Sequence, residues 1–286
     1  MAASRVDHLD TTPVDLATAA AIESAEARAW ADLYGAAPAE FAGTAGHGSW
    51  EVGGALVLRW AASGRRYFSR AIGLGVTQPA TPEAIDEILR GWEQEGITMF
   101  LLQSLPHCRP AEYEEWLGER GLEPFDAQDR IVRGPEPLVV QVEDGDRDLA
   151  VERVVQETAD EWAEFVQRAS LLETGQWLQR LVGRGGWHHY LVRKGGEVVA
   201  ARSMHVDETG RAWLGIDAPV PGIRTDHYEP DAAACAFILA DGLARGVRLF
   251  LADIEAPSPE QDTPAYEHFA RLGFTRPYTR THWARI

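Results

Sequence analysis

The chain has 286 residues, 45% of them hydrophobic and 25% charged, a balance that places it among globular proteins and excludes disorder for most of its length. Its net charge is −17, and only Lys194 among its 27 basic residues is a lysine, which argues against sequence-independent nucleic-acid binding. Cys108 and Cys235 stand alone without CxxC or Cys/His spacing, so neither a metal site nor a disulfide framework is expected; no run reaches the ~18–20 apolar residues a bilayer requires, and a cytoplasmic location follows as the expectation.

In chain order, an Ala-rich helix is expected from Leu16, with Ala27, Trp30, Leu33 and Tyr34 on its packing face. Trp50 and Trp60 read as core residues. Ile72-Gly73-Leu74-Gly75-Val76 ends a strand, Thr81 and Pro82 open a helix running to Glu95, and Gly96 joins it to an apolar strand through Leu102. Glu119-Arg120-Gly121-Leu122 then leads into a short strand. Breakers at Gly134-Pro135-Glu136-Pro137 and charges at Glu143-Asp144-Gly145-Asp146 mark a connection, with a strand expected between them at 138–142. The boundary is placed near residue 140, giving domains 1–140 and 141–286.

The second half is the more legible. Helical patterns at 160–169 and 174–182 precede an antiparallel meander, with strands at 187–193, 197–206 and 211–218 separated by Lys194-Gly195-Gly196 and Asp207-Glu208-Thr209-Gly210. Pro230 opens a helix with Ala233, Phe237, Ile238, Ala240 and Leu243 on one face, and Gly246 ends it. A buried strand at 248–254, a helix from Pro264 to Gly273 and a strand at 278–284 complete the order β-β-β-α-β-α-β. The strand-helix-strand passage implies a right-handed crossover in a mixed sheet.

The halves also match each other at an offset of about 150 residues. Pro82-Glu83-Ala84, a helix, and Gly96 with its strand parallel Pro230-Asp231-Ala232, a helix, and Gly246 with its strand. Glu119-Arg120-Gly121-Leu122 parallels Arg271-Leu272-Gly273-Phe274. The repeated order, together with the segment Pro264-Ala265-Tyr266-Glu267-His268-Phe269-Ala270-Arg271-Leu272-Gly273-Phe274, resembles the GNAT superfamily of acyl-CoA-dependent N-acyltransferases in a tandem, two-copy form.

That resemblance implies an α/β (mixed α+β) fold of two GNAT-like domains, each a mostly antiparallel sheet with a splayed central strand pair flanked by helices. In the family the backbone of the splayed strand pairs with the pantetheine arm of acyl-CoA, and amides at the next helix start hold the pyrophosphate. By this resemblance the cofactor positions are Ile216, Ala218, Val220, Gly222, Ile223, Arg224 and Thr225, with Arg224 the candidate phosphate contact. Many members carry a Tyr five residues before the Phe of Leu-Gly-Phe; here that residue is Phe269, and Tyr266 stands one helical turn earlier as the candidate acid.

Acyl transfer to an amine also needs a base. Asp217, Asp253 and Glu255 interrupt strands that otherwise read as buried, and a buried carboxylate is costly unless paired or used, so these three are the candidate bases. His188, His189, His205 and His282 read as strand packing, whereas His227-Tyr228 falls in a loop and is more suggestive. The expected activity is transfer of an acyl group, acetyl-CoA being the expected co-substrate, to an amine of a small molecule by the C-terminal copy, with the N-terminal copy degenerate, no metal, no membrane, and a homodimer left open. Two other readings stand beside it: a non-catalytic acyl-CoA sensor, and a tandem GNAT using aminoacyl-tRNA, against which the charge of −17 speaks.

Overall fold

Asp15 accepts the Thr18 N–H at 2.8 Å and starts α1 (Leu16–Gly35); α2 (Ala39–Ala45) follows and ends on a left-handed Gly46. Gly53 and Gly54 turn β1 (His47–Val52) back into β2 (Ala55–Trp60), and β3 (Arg70–Ile72) lies antiparallel to β2. Thr81 caps α3 (Pro82–Gln94) by accepting the Ala84 N–H at 3.2 Å, with Pro82 in the first turn. Then come β4 (Leu101–Ser104), α4 (Tyr113–Glu119), β5 (Glu123–Arg133), β6 (Leu149–Arg153) and α5 (Ala159–Ser170). A 3-10 stretch, Gly175–Leu181, leads into β7 (Trp187–Lys194), β8 (Glu197–Val206), β9 (Arg211–Pro219), α6 (Glu229–Ala244), β10 (Leu249–Glu255), α7 (Pro264–Arg271) and β11 (Thr275–Ala284).

The computed structural model describes residues 9–138, 148–170, 175–219, 229–256 and 264–286; the strand expected at 138–142 lies outside these except for Leu138, which is in no strand. Among the described residues no helix is long and apolar enough to cross a membrane. The chain divides into two compact units, one of Pro13–Arg130 with Tyr278–Ile286 and one of Met1–Thr12 with Ile131–Pro277. The chain passes from one unit to the other inside β5, at Ile131 and not near residue 140, and again inside β11. A sequence read as two continuous halves carries no signal for that exchange of strand ends.

The first unit contains strands in the order β1-β2-β3-β4-β11-β5, with β3 and β4 parallel and β4 and β11 antiparallel. On one face α3 and α4 bury Ile85, Ile88, Trp92, Tyr113 and Leu117 against Val57, Ala71, Leu102 and Trp283. Trp92 stacks on Phe100 at 4.6 Å and donates its indole N–H to the Leu58 carbonyl.

The other face carries charge. Glu23 and Glu26 of α1 and Arg70, Arg130 and Arg280 of β3, β5 and β11 are all fully buried. Arg70 donates to Glu26 Oε1 at 2.8 Å, Arg130 and Arg280 both donate to Glu26 Oε2, and Tyr278 donates to Glu23 at 2.8 Å. Three guanidinium groups against two carboxylates leave an excess of positive charge. Part of it meets ring faces, since the Arg70 guanidinium lies 4.0 Å from the Tyr67 ring centroid and 4.6 Å from that of Trp30. Burial by itself raises the Glu26 carboxyl; the charges of Arg130, Arg280 and Arg70 outweigh it and hold the group well below the usual carboxylate range.

The second unit orders its strands β5-β10-β9-β8-β7-β6, with β9 and β10 parallel and the β6 to β9 run antiparallel. The meander, the crossover helix and the helix before the last strand are all where the sequence placed them. One helical pattern, 174–182, is instead a 3-10 stretch. On one face α6 and α7 bury Ala234, Cys235, Ile238, Leu239, Phe269 and Leu272 against Met204, Leu214, Phe250 and Ala252. Trp162 of α5 covers the other face, with its ring 4.0 Å from that of His189.

Two outcomes check this account. Glu26→Gln lowers unfolding free energy by about 3–5 kcal/mol, because it strips a buried partner from three arginines, and urea titration at neutral pH reads it. The folded-state carboxyl titrates below its unfolded value, so its contribution is present above the ordinary carboxylate range and is lost as pH falls through the lower value. The wild type therefore loses more stability on acidification than the Gln variant does. Trp92→Ala costs about 3–5 kcal/mol through the cavity it leaves, read in the same titration.

Candidate active site

The parallel pair β9–β10 is registered at only three positions, Arg211 with Leu249, Ala212 with Phe250 and Trp213 with Leu251, although β9 continues to Pro219 and β10 to Glu255. Beyond Trp213 and Leu251 the two strands are no longer registered with one another. A β-bulge lies on the far side of β9. Ala201 of β8 faces Ala218 and Ser203 faces Gly215, so Ile216 and Asp217 together oppose the single Arg202. Ile216 takes φ +48, a conformation that a β-branched residue seldom adopts. The bulge lies just past Trp213, the last residue of β9 registered with β10.

The sequence-derived catalytic candidates gather at these ends. Asp217 lies on the free end of β9, and Asp253 and Glu255 on that of β10. Their burial differs from the expectation: Asp217 and Glu255 are exposed and Asp253 is half-buried, while Ala218 and Ile254 beside them are buried, as alternation along a strand allows. The argument from costly buried carboxylates therefore does not apply to Asp217 or Glu255. Tyr266 is buried in the α7 face of the core, and its hydroxyl points to the Glu255 carbonyl at 3.5 Å. Phe269 packs edge-on against Phe274 with centroids 5.1 Å apart, so the position where a Tyr was sought belongs to the core. Of the cofactor positions, Ile216 and Ala218 lie on the free end of β9, while Val220, Gly222, Ile223, Arg224 and Thr225 lie outside the described residues, as does His227-Tyr228.

The equivalent place in the first unit is closed by the chain itself. After β3, Gly75 accepts the Arg109 N–H at 2.9 Å, and the Ala80 N–H donates to the Arg109 carbonyl at 2.7 Å. The Arg109 guanidinium donates to the Val76 carbonyl at 3.3 Å, and the Cys108 thiol to that of Leu74 at 3.4 Å. Gly75 adopts φ +79, and a Cβ there would stand 3.2 Å from the Arg109 carbonyl oxygen. The Leu74, Gly75 and Val76 carbonyls and the Ala80 N–H are thus paired within the chain, and Leu74, Val76 and Ala80 are buried.

One cluster in the second unit escaped the sequence reading. Arg202, buried on the α6 face of β8, donates to Asp231 Oδ1 and, at 3.1 Å, to Cys235 Sγ. His268 of α7 brings its ring to the same spot, and single ligand atoms of Asp231, Cys235 and His268 lie within 4.8 Å of one another. Burial depresses the His268 imidazole to about 4, against the opposing pull of Asp231. The available signals were an arginine inside the apolar strand Val-Val-Ala-Ala-Arg and the i, i+4 spacing of Asp231 and Cys235 on one helix face. The strand histidines behave as expected: His189 pairs with Ser203 at 2.8 Å and burial pushes it to about 3, and His282 lies between Asp126 and Gln103.

No family model and no curated protein matches the chain. Solved structures do match. A GCN5-related N-acetyltransferase from Kribbella flavida superposes with TM-score 0.62 at 17% identity, over 93% of this chain and 94% of that one. A tandem GNAT protein from the clavulanic acid biosynthesis pathway, determined without acetyl-CoA, gives TM-score 0.55 at 15% identity, over 81% and 78%. A GCN5-related N-acetyltransferase from Sphaerobacter thermophilus gives 0.51 at 15%, over 96% and 93%. At these identities the likeness concerns architecture, and the chain has the fold of the GCN5-related N-acetyltransferases.

Proposed function

We propose that the chain is an N-acyltransferase that binds an acyl-CoA, acetyl-CoA in the first instance, in its second unit and transfers the acyl group to an amine of a small molecule. The observation that carries this reading is the parting of β9 from β10 in the second unit, set against the closed loop at the same place in the first. An extended, amide-bearing pantetheine arm can add to the free β9 backbone as a strand would, at Ile216 to Ala218. Gly222 and Arg224, with Val220, Ile223 and Thr225, precede α6 in the chain and would serve the pyrophosphate.

The chemistry asks little of the protein. A neutral amine attacks the thioester carbonyl, the C–N bond forms and the C–S bond breaks. The amine proton goes to a carboxylate, directly or through water, and the leaving thiolate takes a proton. Asp217, Asp253 and Glu255 are the candidate acceptors for the first proton, and the Tyr266 hydroxyl is the candidate donor of the second. The exposed carboxylates and a net charge of −17 favour cationic acceptors by steering. A non-catalytic acyl-CoA sensor remains the second reading, favoured by Phe269 in place of the usual Tyr.

Calorimetry with acetyl-CoA is expected to give one site per chain, because the first unit's loop is closed, and Arg224→Ala is expected to weaken it about tenfold. In an amine screen that follows thiol release, Asp217→Asn, Asp253→Asn or Glu255→Gln should lower kcat about 100-fold with acetyl-CoA affinity retained. Full turnover in all three variants overturns the assignment of the base. Binding without turnover on any amine selects the sensor, and absence of binding removes acyl-CoA from the account.

A further inference from the structure

Asp231 and Cys235 stand one helical turn apart on α6, and His268 reaches them from α7. Their ligand atoms lie within 4.8 Å of one another, with Asp231 Oδ2 at 3.9 Å from Cys235 Sγ. Tetrahedral zinc, with bonds of about 2.0–2.3 Å, holds its ligand atoms roughly 3–4 Å apart, so a small inward adjustment brings all three to bonding distance. The His268 Nε2 is buried and has no hydrogen-bond partner among the described residues, an unusual state for an imidazole nitrogen. Cys235 is fully buried, whereas Asp231 and His268 are half-buried.

Arg202 is the obvious objection, being a cation in hydrogen-bond contact with two of the three groups. Its placement is that of a supporting residue. It takes Oδ1 of Asp231 and leaves Oδ2, and it directs an N–H at Cys235 Sγ, a contact that a metal-bound thiolate accepts as well as a thiol does. Asp217, whose charge also acts on Arg202 and Cys235, adds a further negative group. Two carboxylates and a thiolate against one guanidinium leave room for a divalent cation.

We infer that Asp231, Cys235 and His268 form a site for a zinc-class divalent ion that joins α6 to α7, oriented by Arg202 and with its fourth position open to water or a ligand. Loading breaks the Cys235 S–H bond and forms a metal–sulfur bond, with the proton released to buffer; the metal keeps its oxidation state. The sequence expectation of no metal rested on spacing along the chain, and this cluster is assembled by two helices. The inference is independent of acyl-CoA binding.

The test is cobalt(II) titration of the metal-free full chain, followed by visible absorption. The expected result is a single equivalent bound, with intense tetrahedral d–d bands, a sulfur-to-cobalt charge-transfer band, and displacement of both by zinc. His268→Gln, at a half-buried position, should weaken binding at least tenfold, and Cys235→Ser should remove the charge-transfer band. Cys108→Ser should leave both unchanged. Should Cys235→Ser fail to fold, His268→Gln alone decides. Absence of the bands in the wild type, or bands that survive His268→Gln at full affinity, overturns the inference.

Discussion

Two parallel strands that part leave a row of N–H and C=O groups with no partner, and a fold must either satisfy those groups or present them to something else. This chain does both. In the first unit the loop after β3 is tied through Gly75, Val76 and Ala80 to Arg109. In the second unit the register of β9 with β10 ends at Trp213 and Leu251, with Asp217 further along β9, Asp253 and Glu255 further along β10, and the Tyr266 hydroxyl against the Glu255 carbonyl. The functional reading depends on that asymmetry more than on any single side chain.

The bulge at Ile216 and Asp217 follows directly on the end of the β9–β10 register. The extra residue in β9 is absorbed while the β8–β9 ladder continues to Pro219, and the positive φ of Ile216 is a conformation that a β-branched residue seldom adopts. The same irregularity places Arg202 opposite the bulge, facing α6. Strand geometry thus links the free end of β9 to the Asp231–Cys235–His268 cluster, two features that lie on different elements and share no motif.

Charge is used differently in the two units. In the first, Glu23 and Glu26 hold Arg70, Arg130 and Arg280 in a buried layer under α1, where loss of either carboxylate deepens the excess of buried positive charge. In the second, Asp217 and Glu255 at the strand ends are exposed, where they can meet a cationic partner. A net charge of −17 says nothing about this partition, since composition does not distinguish a buried ion pair from an exposed one.

Periodicity and breakers along the chain determined the meander from Trp187, the crossover helix from Pro230, the helix ending at Leu272-Gly273-Phe274 and the repeat of the element order, because these depend on local propensity and on residues a few positions apart. They also brought Asp217, Asp253 and Glu255 into consideration as residues that break an apolar pattern, while Tyr266 entered through the family resemblance. The strands β1, β2 and β6 were not legible, being short and weakly alternating. Tertiary structure alone decided where the units divide, because β5 and β11 each pass from one unit to the other. It alone showed that Arg109 ties the loop after β3, and it alone assembled Asp231, Cys235 and His268 with Arg202. Such contacts are set by backbone pairing and helix packing between residues far apart in the chain, and spacing within a sequence carries no record of them.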